Sequence, residues 1–223
     1  MSDLDAKAAL EKFKRRHDRN MRASHAKGYL LGIASMLKPG DFVIDCGANV
    51  GDVTEPLAAT GATVHCFEPD PYAFKQLSKR FSDTPNVILD NAAVGTEDGT
   101  IDLMRADNFD DGPRGGSVKS TVLTGGRAIN ETNLIEVRLV NFIGFLQKMI
   151  AEHGEIAFVK MDIEGAELDI LEAMDAENLF APIRCCVAET HERKFKALRP
   201  RFKALKQRIS ETYPLSKVNL NWI

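Results

Sequence analysis

The sequence has 223 residues, of which 44% are hydrophobic and 27% are charged, and its net charge is −3. The length fits one domain with a substantial core, and the composition excludes a disordered, fibrous or low-complexity chain. No apolar run approaches the ~20 residues that span a membrane, and the first residues lack the apolar segment of a secretory signal. We therefore expect a cytoplasmic protein with a single domain over residues 1–223.

Strands and helices alternate along the first half of the chain. Residues 4–24 place Leu10, Phe13, His17 and Met21 at helical spacing, which predicts an amphipathic helix that covers apolar surface, within a helical extension of residues 1–35. Short apolar runs predict strands at 42–46, 63–67, 86–89 and 92–94. Helices are predicted between them at 52–60 and 71–82.

Residues 106–133 interrupt this alternation, because they are rich in Gly, Asp, Asn, Ser and Thr. A loop of this length in a compact domain is usually functional or disordered, so we interpret it as a candidate substrate lid. Strands are then predicted at 134–140, 156–161, 183–188 and 217–222, with helices at 141–152 and 165–174 and another one over Phe195, Leu198, Phe202, Leu205 and Ile209.

The alternation predicts an α/β fold with a Rossmann-like, doubly wound and mostly parallel sheet that has helices on both faces. Such sheets bind ligands at the carboxyl ends of their strands, so those positions are candidates for chemistry. The cysteines Cys46, Cys66, Cys185 and Cys186 lie in short apolar runs without a CxxC pair. We expect them to be buried, unreactive thiols.

The first predicted strand ends in the glycine loop Asp45-Cys-Gly47-Ala48-Asn49-Val-Gly51. Its glycines allow a sharp turn and a close approach of a ligand to the backbone. The loop lacks the GxGxxG pattern that holds a pyrophosphate, and its acid suits a ligand with a sulfonium and an α-amino group better. These differences argue against an NAD-dependent oxidoreductase.

The second predicted strand ends in Phe67-Glu68-Pro69-Asp70. An acid at this place can bind both ribose hydroxyls of a nucleoside, and Glu68 follows the glycine loop at about the expected spacing. The two loops together predict a nucleoside-bearing cofactor. The competing interpretation is that the glycines only form a turn and that Glu68 is a solvated acid.

Two later strand ends carry the candidate catalytic residues Asp162, Glu164, Glu189 and His191. Asp162 and Glu164 belong to Lys-Met-Asp-Ile-Glu-Gly-Ala-Glu (160–167), and acids this close are costly unless they are paired, metal-bound or solvated. Acids in a first helical turn also suit the helix dipole, which is the competing interpretation for Glu164 and Glu167. Glu189 and His191 are two residues apart in an extended segment and can face the same cleft.

Taken together, the motifs resemble the FkbM-type S-adenosylmethionine-dependent methyltransferases. The resemblance covers about residues 42–191 and rests on VIDCGANVGDVT (43–54), VHCFEPDP (64–71), NAAVG (91–95), FVKMDIEGAELDIL (158–171) and VAETH (187–191). It implies a class I methyltransferase fold with a core at 41–191 and about seven strands, the last of them antiparallel and formed by KVNLNW. It also implies O-methylation of a hydroxyl on a sugar, a glycoconjugate or a natural product.

The resemblance also implies a set of cofactor-binding residues. These are Asp45, Gly47, Ala48, Asn49 and Gly51 around the methionine part, Glu68 and Pro69 at the ribose, Asn91 and Ala92 at the adenine, and Asp162. Asp162 and Glu164 match the acids that face the acceptor.

Two schemes for removing the acceptor proton are open. In the favoured scheme His191 is the general base and is oriented by Glu189 or Asp162. In the second scheme Asp162, Glu164, Glu189 and His191 hold Mg²⁺ or Mn²⁺, which binds the acceptor oxygen. The alternatives from other classes are a nucleic-acid methyltransferase and a non-catalytic nucleoside-binding protein on the same fold.

The charge of the chain is unevenly distributed and bears on these alternatives. Residues 1–27 carry +4, residues 28–190 carry −14 and residues 191–223 carry +7. The basic ends would supply phosphate affinity for a nucleic acid, but an aromatic content of 7% indicates no stacking surface, so a nucleic-acid partner is disfavoured. Solvated helix faces are the simplest explanation. A sharper hypothesis is that the ends fold over the cleft mouth and hold an anionic acceptor, with Arg15, Arg16, Arg193 and Lys194 as its contacts.

Overall fold

Strands and helices alternate along most of the chain in a computed structural model that describes residues 3–106, 109, 112, 116–117, 120–124 and 129–222. The helices are α1 (Asp3–Met36), α2 (Thr54–Ala58), α3 (Pro71–Arg80), α4 (Phe142–His153), α5 (Glu167–Ala176) and α6 (Arg199–Thr212). The strands are β1 (Phe42–Cys46), β2 (Thr63–Phe67), β3 (Val87–Asp90), β4 (Ala93–Gly95), β5 (Gly99–Ala106), β6 (Ile129–Asn141), β7 (Ile156–Met161), β8 (Ile183–Ala188) and β9 (Val218–Asn219).

The main sheet has six strands in the order β3-β2-β1-β7-β8-β9, and every pair is parallel. All residues of β1 and β7 are buried, as expected for central strands with both faces covered. One core cluster contains residues of α4, α5 and α6, and another contains residues of α1, α2 and α3. This arrangement confirms the predicted doubly wound α/β fold. Because the winding reverses between β1 and β7, a crevice opens at their carboxyl ends.

The last strand differs from the expected one. β9 runs parallel to β8, with Val218 opposite Cys186 and Asn219 opposite Val187, and the sheet has six strands rather than seven. The expectation of an antiparallel last strand was therefore wrong. The connection explains the difference, because α6 carries the chain back from the carboxyl end of β8 to its amino end, and a strand that follows such a crossover runs parallel.

A second sheet has the order β4-β6-β5, and β5 and β6 are antiparallel. β6 begins at Ile129, so part of the predicted loop 106–133 is strand. The strand β5 was not predicted, although Ile101 and Leu103 flank Asp102 with the alternation of a half-buried strand. The rest of the loop is described only at 109, 112, 116–117 and 120–124, and its role as a lid stays a prediction, as does the division into extension and core.

The N-terminal helix is longer than predicted and packs through its end. The buried apolar residues of α1 are Ala26, Leu30 and Ile33, which join the core cluster of β1 and α2. Leu10, Phe13 and Met21 are 52%, 66% and 44% exposed, so the expectation that they cover apolar surface was wrong. Among the described side chains, those of the last three turns therefore hold α1 to the sheet.

We expect Leu30→Ala to lower the free energy of unfolding by about 2–4 kcal/mol, because a buried leucine loses its packing and leaves a cavity. Leu10→Ala, a matched change on the exposed part of the same helix, should stay within about 0.5 kcal/mol of the parent. Urea denaturation of both variants measures the difference. Equal losses would contradict this account of how α1 packs.

The four cysteines are free and buried, as predicted. Burial raises the pKa of each thiol above its ordinary value. In the part of the chain that the structure describes, no helix has the length and apolar character needed to cross a membrane.

Candidate active site

A cleft that encloses about 640 Å³ together with its open mouth lies at the carboxyl ends of β1, β2 and β7. Six of the predicted cofactor residues line it, namely Gly47, Asn49, Glu68, Pro69, Ala92 and Asp162. Ser117, Ser120 and Val122 from the predicted lid segment also line the cleft. The structure thus brings most of the predicted cofactor residues together.

The glycine loop lies in close contact with the segment after β7. Gly47 has a φ of +76°, and a Cβ added there would lie 1.8 Å from the carbonyl oxygen of Asp162. The N–H groups of Gly47 and Ala48 donate to the carbonyl oxygen of Phe67 at 2.9 and 3.1 Å. Glycine is therefore required at position 47 both by the backbone conformation and by the space available.

Glu68 is 5% exposed, and both of its carboxylate oxygens accept backbone hydrogen bonds. Oε2 accepts from the N–H of Asn49 at 2.8 Å and Oε1 accepts from the N–H of Asp70 at 2.8 Å. Burial raises the pKa of Glu68 to about 7, against the lowering effect of these two bonds. Each oxygen keeps a lone pair, so the carboxylate can also accept two hydroxyl groups.

Asp45 lies behind the cleft and does not line it. It is fully buried, its Oδ2 accepts from the hydroxyl of Thr54 at 2.7 Å, and its Oδ1 lies 3.3 Å from Nζ of Lys160. Nζ of Lys160 also donates to the carbonyl oxygens of Cys46 at 3.2 Å and Gly47 at 2.7 Å. This buried ion pair ties the glycine loop to β7.

Three other predicted cofactor residues also lie outside the cleft lining. Ala48 is buried, and a Cβ added at Gly51, whose φ is +89°, would lie 2.4 Å from the ring of Phe81. The amide of Asn91 donates to the carbonyl oxygen of Glu68 at 2.7 Å. Their contacts support the glycine loop and the segment after β2 from the side away from the cleft.

His191 is the centre of a cluster of four acids. Its Nδ1 lies 3.0 Å from Oε1 of the fully buried Glu167, which also accepts from the N–H groups of Ile163 and Gly165. On the other side of the ring, Nε2 lies 3.5 Å from Glu164, 3.8 Å from Glu189 and 3.9 Å from Asp162. Since Glu167 fixes Nδ1, the free side of the imidazole is Nε2.

The charges of this cluster shift the pKa values of its members. Burial disfavours the charged form of His191, but the hydrogen bond to Glu167 and the charges of Glu167, Glu164 and Asp162 outweigh it and raise the pKa to about 9. Burial, helped by the charge of Asp162 and opposed by that of His191, raises the pKa of Glu189 to about 7. Burial also raises the pKa of Glu164, against the effect of His191 and Lys194.

Residues 45–212, three quarters of the chain, match the family described as the Methyltransferase FkbM domain. The chain belongs to this FkbM methyltransferase family. This confirms the resemblance that the sequence motifs indicated.

Three relatives of this FkbM-family chain cover different shares of it. It is 29% identical over 178 residues to the 31-O-demethyl-FK506 methyltransferase FkbM of Streptomyces tacrolimicus, with 70% of this chain and 67% of that protein covered. It is 28% identical over 151 residues to the 2-O-methyltransferase NoeI of Sinorhizobium fredii, with 62% and 60% covered. It is 47% identical over 53 residues to the ribosomal RNA small subunit methyltransferase A of Thermotoga neapolitana, with only 24% and 20% covered.

Two site residues of this FkbM-family chain were not selected from the sequence. Lys160 is a charged residue in the otherwise apolar strand Ile156–Met161, which signals a buried partner. Glu167 was explained by the helix dipole, yet it is fully buried against His191. Its spacing from Asp162 and Glu164 was visible, but its burial was not.

The geometry also bears on the metal prediction. One ligand atom from each of Asp162, Glu164 and His191 lies within 4.8 Å of the others. Nζ of Lys194 already lies 3.0 Å from Oε2 of Glu164 and supplies positive charge there. The divalent cation therefore stays a prediction.

Proposed function

We propose that this FkbM-family chain transfers the methyl group of S-adenosylmethionine to a hydroxyl oxygen of a sugar, a glycoconjugate or a natural product. The observation that carries the proposal is the position of the histidine cluster at the edge of the cleft. Asp162 and Glu164 line the cleft and also face Nε2 of His191 at 3.9 and 3.5 Å. The names of two relatives, both O-methyltransferases, support the choice of oxygen as the acceptor atom.

The cleft residues fit the proposed cofactor by their chemistry. Glu68 offers two free carboxylate lone pairs for a pair of ribose hydroxyls. Phe67, Ala92 and Val94 supply apolar surface for a base. The carboxylates of Asp162 and Glu164 suit a cationic sulfonium and amino group.

The cofactor supplies an activated methyl group on a sulfonium leaving group, so the chain has to position the acceptor, exclude water and remove a proton. The acceptor oxygen forms a bond to the methyl carbon as the bond from sulfur to that carbon breaks. The hydroxyl proton passes to Nε2 of His191, and Glu167 on Nδ1 holds the ring and stabilises the imidazolium. His191 is therefore the proposed base and Glu167 its positioning residue.

The second scheme, with Mg²⁺ or Mn²⁺ on Asp162, Glu164, Glu189 and His191, makes a different experimental prediction. Exhaustive chelation would abolish transfer if a cation held the acceptor oxygen, and would leave it unchanged if His191 acts alone. We favour the His191 scheme, because Glu167 already orients the imidazole and Lys194 already balances Glu164. Transfer that is lost on chelation and restored by Mn²⁺ would reverse this preference.

Binding of S-adenosylhomocysteine, the demethylated product of the cofactor, tests the proposal without an acceptor. We expect calorimetry to detect this binding and Glu68→Ala to weaken it about 10–100-fold, because two hydrogen bonds to a buried carboxylate are lost. Glu97→Ala, an exposed acid outside the cleft lining, should bind as tightly as the parent. Absence of binding to the parent protein would refute the cofactor assignment.

A further inference from the structure

A second basin also reaches the histidine cluster, and among the described residues its lining shares none with that of the cleft. It is formed by α1, the segment after β8, α6 and the last residues of the chain, and measures about 1,380 Å³ with its open mouth. Glu189 and His191 line this basin, whereas Asp162 and Glu164 line the cleft. Because Nε2 of His191 lies within 4 Å of Asp162, Glu164 and Glu189, the cluster connects the two cavities.

The basin carries an excess of positive charge. Its cationic residues are Arg22, Arg193, Lys194 and Lys206, against the acids Glu189 and Glu192. Lys206 is bound by Glu192 at 2.7 Å and by Asn221 at 2.8 Å, and Lys194 is bound by Glu164. Arg22 and Arg193 are exposed, and among the residues that the structure describes neither has an acid within ion-pair distance. Two guanidinium groups from different elements thus line one basin, and neither has an ion-pair partner among the described residues.

The wall of the basin holds a further polar group that lacks a partner. Trp222 is 7% exposed, and its Nε1–H has no hydrogen-bond partner among the described residues. An indole N–H can only donate, and a buried donor without an acceptor costs about 1–3 kcal/mol. Trp222 lines the basin, so an unsatisfied buried donor lies in its wall beside cationic groups that suit an oxygen-rich anion.

We propose that this basin is the acceptor subsite and that the acceptor is a small hydroxyl compound with an anionic group, a phosphate or a carboxylate. Arg22 and Arg193 bind the anionic group, while the reacting hydroxyl reaches Nε2 of His191. A guanidinium fits both anions, because its N–H groups match two oxygens at once. This inference rests on the proposed function and names the substrate class for the same site.

A small anion fits these positions better than a nucleic acid. Three other arginines of α1, Arg15, Arg16 and Arg19, line a separate surface with Lys7 and Lys12 and do not line the basin. A polymer would contact both surfaces, and its affinity would depend on both. Of the four acceptor contacts expected from the sequence, Arg193 and Lys194 line the basin and Arg15 and Arg16 do not. Arg22, which was not expected, lines the basin as well.

The test compares three probes on protein saturated with S-adenosylhomocysteine: glucose 6-phosphate, glucuronate and uncharged glucose. We expect at least one charged sugar to bind at least about tenfold more tightly than glucose, the size of one charge-assisted contact. The double variant Arg22→Gln/Arg193→Gln should reduce this preference to about twofold or less. The matched control Arg15→Gln/Arg16→Gln should keep it in full. Ligand-observed NMR titrations measure the affinities.

The other possible outcomes of these titrations each decide whether the acceptor inference stands. Equal binding of charged and uncharged sugars, or no binding of any of them, would overturn the inference, and so would a preference that survives Arg22→Gln/Arg193→Gln. An RNA oligonucleotide that binds and loses affinity equally in both double variants would replace the small anion with a nucleic acid. Calorimetry with S-adenosylhomocysteine separates this failure from failure of the proposed function, because the cofactor product should still bind when only the acceptor inference is wrong.

Discussion

We expect His191→Gln to lower the rate of methyl transfer by about 10²–10⁴-fold, the usual contribution of a general base, with the affinity for S-adenosylhomocysteine changed by less than about twofold. In the parent, transfer should rise about tenfold per pH unit and level off near pH 9, because the raised pKa keeps His191 protonated at lower pH. The rate is measured as release of S-adenosylhomocysteine with a panel of sugars and glycosides. Full activity in the variant would exclude His191 as the base.

Glu167→Gln provides a readout that needs no acceptor. It removes the negative charge beside Nδ1, so the pKa of His191 should fall from about 9 by about one to three, and the pH profile of transfer should move to lower pH with it. Side-chain NMR of the histidines measures the titration, and His191→Gln assigns the resonance. An unchanged pKa would show that Glu167 does not position or charge the ring.

Gly47→Ala should have the largest effect on cofactor binding. A Cβ at this position would lie 1.8 Å from the backbone oxygen of Asp162, and the φ of +76° adds strain for any residue but glycine. We expect the free energy of unfolding to fall by about 2–5 kcal/mol and binding of S-adenosylhomocysteine to weaken at least about 100-fold, because the glycine loop must move. Thermal unfolding and calorimetry measure the two effects.

Gly154→Ala is the matched control for this prediction. Gly154 ends α4 with a φ of +78°, and a Cβ added there meets nothing within 4 Å. In Gly154→Ala the free energy of unfolding should therefore fall only by the cost of the backbone conformation, about 1–2 kcal/mol. This variant should bind the cofactor product as the parent does. Binding that survives Gly47→Ala would mean that the glycine loop can relax without leaving its place.

Periodicity and strand ends were sufficient to predict the sheet and the cleft. The apolar runs of β1 and β7 placed Asp45 and Asp162 at strand ends, and the glycine pattern placed Gly47 in the loop after β1. Such local patterns survive folding because parallel strands end at one edge of the sheet. The direction of β9 and the strand β5 depend on connections and pairings between distant residues, which no local pattern records.

The functions of single acids were harder to predict than their presence. Asp45 and Glu167 are both fully buried, but Asp45 binds Lys160 behind the glycine loop, and Glu167 binds His191. In the sequence, each is only an acid near a strand end. Which acid faces a ligand and which one supports another side chain is decided by rotamers and packing across the sheet.

The contact between the glycine loop and the segment after β7 also limits how this enzyme can be redesigned. Lys160 donates hydrogen bonds to the carbonyl oxygens of Cys46 and Gly47, while Gly47 packs against Asp162, so the glycine loop and the segment after β7 form one mechanical unit. A library aimed at a new acceptor would best leave residues 45–51 and 160–165 unchanged. Diversity belongs on Arg22 and Arg193, which are exposed, line the basin and can change without moving that unit.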